Sequence, residues 1–271
     1  MAPSIAKNTL FMMTAAVGQK LISFAYFIIV AHRIGVEASG KYTAALAFTS
    51  IFVVLVDFGF TNIFIRESAK ERERLPEYLG VVLGVKIVFA ALAYLAMAGA
   101  VTLLGYDADI RLLIALGGVT MILDSWHLTL YGTLRTLGNL SYEAIGMVGS
   151  QLVTFILGTI FLFAGRPLPS LMLAFLIASA MNVLYAHLIL SIRYRVCPRP
   201  RVRWPLLKTL ARMAAPFALI AIFFRVYSYV DSVMIFKLAG ATAAGWYGIP
   251  AKIINAFLFI PLALGAATYP R

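Results

Sequence analysis

Two cations stand deep inside strongly apolar runs of the sequence. Lys20 lies near the middle of the apolar run Leu10–Ala31, and Arg225 occupies the matching place in a run after Met213. About 12 residues into a helix corresponds to roughly 18 Å of depth, where hydrocarbon strongly disfavours a charge unless it faces protein or water. A fixed cation in a wet cavity at that depth attracts phosphate or another anion. The plainer alternative is that each snorkels to the surface or pairs with a carboxylate such as Asp57 or Asp231. From mid-span, snorkelling is a long reach even for these side chains.

Further polar residues fall within the apolar runs. Asp231 follows Arg225 by six positions, which puts the two on different helical faces. It serves to coordinate a coupling ion, to pair with Lys20, or to hold helices together. Asp57 reads as a structural partner of Arg66, and Lys86, a turn or two into its span, as within reach of the interface. Asp124 and His127 are three apart and share a face, which suits a proton relay or an interhelical hydrogen-bonded pair. Lys252 sits between Pro250 and Pro261. Two prolines predict a kinked or broken helix, which lines a cavity more often than it faces lipid, so Lys252 joins Lys20 and Arg225 as a substrate-binding candidate. Tyr131, Tyr227 and Tyr247 are either sugar-facing or interfacial.

Several chemistries are absent. His32, His127 and His187 lack metal-site spacing, and the single Cys197 has neither a disulfide nor a ligand partner. No Gly-Lys-Ser/Thr phosphate loop occurs, which argues against ATP-driven work by this chain. No cluster of acidic or His residues gathers at one membrane face, so no catalytic residue is assigned, no resident metal or cofactor is expected, and an enzyme is disfavoured. H+ and Na+ remain open as coupling ions.

The elements that must position these residues are membrane helices. Of the 271 residues 62% are hydrophobic and 13% charged, and the mean hydropathy is +0.92. About 20 apolar residues at helical rise cross a hydrocarbon core of roughly 30 Å. Eight such spans are predicted, at about 8–31, 42–60, 79–104, 112–134, 143–164, 168–192, 213–236 and 247–269. With the N-terminus in the cytoplasm, inside loops hold thirteen Lys and Arg and outside loops five, the excess expected of cytoplasmic loops. The net charge of +12 follows from those loops and needs no nucleic acid. Arg66–Glu77 reads as a solvated helix extension with i,i+4 ion pairs, and Arg193–Arg212 as a semi-rigid Arg- and Pro-rich linker. Its Trp204–Leu210 portion is suited to the membrane surface.

Gly35, Gly40 and Tyr42 recur 205 positions later as Gly240, Gly245 and Tyr247, and at the same offset Lys20 faces Arg225. Six spans separate the copies, an even number, so both enter from the same side, as in a parallel repeat with a site between two lobes. The expected organisation is a six-helix N-terminal lobe at 1–192, a basic linker at 193–212, and the first two helices of a C-terminal lobe at 213–271. The second lobe would be incomplete, and the chain is expected to be a fragment.

Asn8-Thr9-Leu10, the Arg33–Tyr42 loop, Asp57-Phe58-Gly59-Phe60 before Arg66-Glu67, and Leu134-Arg135-Thr136-Leu137-Gly138 resemble the oligosaccharide flippase (Wzx-type polysaccharide biosynthesis) family. So do Ala215-Pro216-Phe217, Arg225 with Asp231, Gly245-Trp246-Tyr247 and the Pro261–Pro270 ending. That family belongs to the multidrug/oligosaccharidyl-lipid/polysaccharide exporter superfamily. The resemblance implies an all-α, MATE-like fold of two six-helix lobes around a cationic lumen. It implies flipping of a polyprenyl-diphosphate-linked oligosaccharide to the outer leaflet, alongside a polysaccharide polymerase and chain-length proteins. A multidrug or organic-cation exporter and a lipid II flippase are the alternatives within the superfamily. An organic-cation exporter calls for acidic residues in the first and seventh spans, where Lys20 and Arg225 stand, although Asp231 of the seventh span keeps that alternative open.

Overall fold

A computed structural model describes residues 5–257, with side chains from Asn8 to Ile254. Among the described residues the chain is helical, with no strand: α1 (Ile5–Asp57), α2 (Phe60–Lys70), α3 (Leu75–Leu103), α4 (Ala108–Thr136), α5 (Ser141–Phe163), α6 (Pro169–Leu188) and α7 (Trp204–Phe257). The end of the predicted eighth span lies outside these residues. Six helical stretches are long and apolar enough to cross a membrane, so this is a multi-pass membrane protein. Exposed Leu, Ile and Phe side chains such as Leu95, Leu184 and Phe223 clothe it for a lipid solvent.

The two longest helices each bend once. The 53 residues of α1 would measure about 80 Å if straight, more than twice a hydrocarbon core. Gly35 interrupts it at φ 77°, ψ 173°, and Gly240 interrupts α7 at φ 87°, ψ 176°. Glycine reaches such angles without a Cβ penalty. The chain doubles back there: Tyr26 and Tyr42 interact and both rings lie beside Phe175, at 6.2 and 6.5 Å. On a straight helix those sixteen positions would span about 24 Å. The Tyr247 hydroxyl likewise donates to Asp231 Oδ2 across the second bend. Tyr26 and Tyr42 stand 205 positions before Asp231 and Tyr247, so the repeat carries the same backbone break and the same cross-bend pairing. The predicted Arg33–Tyr42 loop is thus helix with a one-residue interruption. Among the described residues, two of the six stretches double back at their glycine, as the predicted spans on either side of each require.

The other turns are short. α3, α4 and α5 end on Gly105, Gly138 and Gly165, each with positive φ. Paired bonds such as Gly105 N–H to Thr102 O (3.0 Å) and Tyr106 N–H to Val101 O (3.4 Å) satisfy the last carbonyls in Schellman fashion.

On the face that carries the basic loops, three expectations change. The second pass ends at Asp57, because Phe58 and Gly59 take left-handed angles and redirect the chain. α2 then packs on α4 through Phe60, Ile63 and Phe64, with Ser68 and Thr136 hydroxyls 3.0 Å apart, while Arg66, Ala69, Lys70 and residues 71–74 stay exposed. The ion pairs of this segment, Lys70–Glu67 and Arg74 with Glu71 and with Glu77, fall at i,i+3 rather than i,i+4. The linker after the π-turn Ile189–Arg193 is strapped to α3: Arg201 N–H donates to Gly80 O at 2.8 Å, and a Cβ on Gly84 would meet Arg201 O at 2.4 Å. Trp204–Leu210 forms the first turns of α7.

Two buried clusters form the core. One gathers Tyr26, Val30, Tyr42, Tyr106, Ile110 and Leu171 near the bends. The other gathers Phe60, Phe64, Leu79, Leu130, Leu134, Ala186 and Leu210 near the basic loops. Between them, at mid-depth, packing gives way to a cavity.

Candidate functional site

That cavity has a volume of about 590 Å³, and helical periodicity builds its wall. α5 supplies Met147, Ser150, Gln151 and Thr154; α6 supplies Phe175, Ala178, Ser179 and Asn182; α4 supplies Gly117, Thr120, Met121 and Asp124. Each set follows i, i+3, i+4, i+7, one face of a helix. The second half of α1 adds Thr49, Ser50 and Asp57, and Gln19 comes from the first. From α7, Ala221 and Arg225 close the side. Sequence reasoning built on charges passed over these hydroxyl and amide stripes, although their spacing announces them.

At the floor nearest the basic loops sits an ion pair. Lys86 is 1% exposed, and its Nζ lies 2.5 Å from Asp57 Oδ1. Nζ also donates to Thr61 Oγ1 (2.9 Å), Ser125 O (2.8 Å) and Thr129 Oγ1 (2.6 Å). This corrects two expectations. Lys86 does not reach an interface, since α2 and α4 cover it. Asp57 is its partner, and Arg66, placed beyond the left-handed turn, instead contacts Glu67 at 3.5 Å. A buried ammonium requires such oxygens, because an unpaired charge in low dielectric is far costlier than a paired one.

Asp124 and His127 both face the cavity but are not bonded to each other. The Asp124 carboxylate accepts from Ser179 Oγ of α6 at 2.5 Å. His127 stacks edge-on against Tyr131 at 5.5 Å, and its Nδ1 has no protein hydrogen-bond partner among the described residues. The interhelical bond expected of this pair therefore belongs to Asp124 and Ser179. Tyr131 is buried and donates to Asn182 Oδ1.

The candidate cations divide. Arg225 is half-buried in the cavity wall, its guanidinium 5.9 Å from the Tyr229 ring. Lys20, one position beyond Gln19 of the wall, is exposed. Lys252 of the last pass lies over Phe27 at 5.7 Å, close enough to Lys20 for the two charges to repel. Lys20, Arg225 and Lys252 form no ion pair with a carboxylate among the described residues. Asp231 is engaged by the Tyr247 hydroxyl and by the Ser232 N–H at 2.6 Å, not by Lys20. No group of three His, Cys, Asp or Glu able to hold a metal ion occurs among the described residues.

Among solved structures the chain is similar to one described as protein A, with a TM-score of 0.70 and 14% identity over 93% of this chain and 60% of that one. It is similar to an outward-facing multidrug resistance MATE family transporter of the MOP superfamily, at TM-score 0.62 and 18% identity over 98% and 72%. It is also similar to a MOP superfamily transporter from Pyrococcus furiosus, described as having a binding pocket of reverse polarity, at TM-score 0.56 and 19% identity over 94% and 67%. At these identities the likeness establishes a MATE-type helical fold, and the chain spans 60% of the length of the first of the three. No curated protein matches the sequence. A family profile described as polysaccharide biosynthesis protein matches residues 5–271, and with nearly the whole chain covered, this membrane protein belongs to the polysaccharide biosynthesis protein family.

Proposed function

We propose that the protein is a transporter which flips a polyprenyl-diphosphate-linked oligosaccharide from the cytoplasmic to the outer leaflet of a bacterial inner membrane, by rocking two lobes about a cationic cavity. On this reading 1–192 is the first lobe, 193–212 a cytoplasmic linker, and 213–271 the beginning of the second. The observation that carries it is the place of Arg225: a cation from the second copy of the repeat stands, with Ala221, in the wall of a cavity whose other lining residues come from the first six passes. Lys20 and Lys252 lie outside that lining, Lys20 next to Gln19 of the wall. A sugar diphosphate cannot shed its hydration into hydrocarbon, since unpaired charges cost too much there. Fixed cations in a wet cavity offset that cost while the lipid tail stays in the bilayer. Family membership supports the reading, and H+ or Na+ is the proposed source of energy. A polymerase and chain-length proteins would use the product.

The experiment is polymer export by the full-length protein in cells. Lys20→Ala or Arg225→Ala should reduce export at least tenfold while membrane insertion is unchanged; normal export by both variants contradicts the assignment.

One observation favours a second reading. Asp124 lines the cavity with a hydroxyl rather than a cation as its partner, an arrangement that could receive an organic cation. Drug efflux lost in Asp124→Asn but intact in Arg225→Ala would support that alternative.

A further inference from the structure

A second cavity of about 590 Å³ opens near the basic loops and shares no lining residue with the first. Phe60 and Phe89 form one side and Trp204, Leu207 and Ala211 the other, and Lys208 is the only charged residue in its lining. Its size falls within the usual range for small-molecule sites, roughly 300–1,000 Å³. Lys208 precedes Arg225 by seventeen residues on one helix, about 25 Å at helical rise, which sets the groove's basic rim well away from the Arg225 side of the central cavity. Its surroundings are strongly positive. Residues 193–212 contain seven Lys and Arg and no Asp or Glu, and of these Arg203 is engaged by Glu77. Arg199, Arg201, Lys208 and Arg212 are exposed, and Lys208 and Arg212, four apart, share a helix face. Trp204 is 74% exposed at the mouth, where an indole suits the headgroup layer.

We propose that this groove binds an anionic phospholipid of the adjacent leaflet, one acyl chain lying along Phe60, Phe89 and Leu207 and the headgroup phosphate resting on Lys208 and Arg212. An apolar slot alone would accept any tail. The basic rim selects the headgroup by charge, and the slot adds what surface charge lacks, a fixed position for the tail. The occupant would pin the start of α7 against α3, where the Arg201–Gly80 bond already fastens the linker. The inference is independent of what moves through the central cavity.

The test uses the full-length protein retaining Trp204 as its sole tryptophan, reconstituted in phosphatidylcholine vesicles containing phosphatidylglycerol, with bromine on the tails of one lipid or the other. Brominated phosphatidylglycerol should quench Trp204 several-fold more than brominated phosphatidylcholine at equal mole fraction. The Lys208→Gln/Arg212→Gln variant should bring the two to parity, Lys208→Arg/Arg212→Lys should keep the preference, and Ala211→Phe, which fills the slot, should weaken quenching by both. Parity in the unmodified protein overturns the proposal. So does a preference that survives Lys208→Gln/Arg212→Gln, which would mean general attraction to a basic face. Displacement of phosphatidylglycerol by an equal fraction of polyprenyl phosphate overturns it too, by giving the groove to the carrier lipid.

Discussion

A charge in an apolar run is conspicuous, so Lys20, Asp57, Lys86, Asp124, Arg225, Asp231 and Lys252 were all legible as residues of interest. Their partners were not, because a partner depends on helix rotation and on where the chain turns. Asp57 and Arg66 look adjacent in sequence, but the left-handed pair Phe58–Gly59 separates them and leaves Asp57 to Lys86. Removing one member of such a pair strands the other. Lys86→Met should lower the stability of the detergent-solubilised protein by about 3 kcal/mol, read as a drop in thermal midpoint. Lys86→Met combined with Asp57→Asn should recover much of it. An unchanged midpoint for Lys86→Met alone would mean the pair is not a structural bond. The hydroxyl stripes of α4, α5 and α6 were missed for another reason: Ser, Thr and Asn are common in membrane helices, and only their shared period marks them as a wall.

Hydropathy, with Arg33, Glu37, Lys41 and Lys237 between the runs, placed the two breaks, but not that each is a single glycine inside otherwise continuous helix. The glycine spacing nonetheless revealed the pair. At the bends the two copies cross closely: a Cβ on Gly40 would lie 1.8 Å from Ala241 O, and one on Gly245 would lie 2.0 Å from Val36 O. Backbones in lipid approach this way through small residues. Gly40→Val and Gly245→Val should therefore each hold the bends apart. The full-length variants are expected to insert normally yet lose most polymer export; full export by both would show that this crossing is not needed in the working cycle. Gly35 has open space around it, so there the constraint is conformational.

At the scale of the molecule, the all-α membrane class and the two-copy plan follow from composition and the 205-residue offset, and the fold agrees with that of MATE-type transporters. What the sequence could not give is the depth of the cavity between two apolar cores, because that emerges only when all the helices are packed. Orientation is checkable directly. Reporter fusions after Arg74 and after Arg203 should both read as cytoplasmic, and either one read as outside would invert the topology. The most direct measurement follows a fluorescent polyprenyl-diphosphate oligosaccharide in vesicles holding the full-length protein. Crossing between leaflets should require the protein and fall at least tenfold with Arg225→Ala. No protein-dependent crossing, or equal rates with and without the Arg225 guanidinium, would contradict the account.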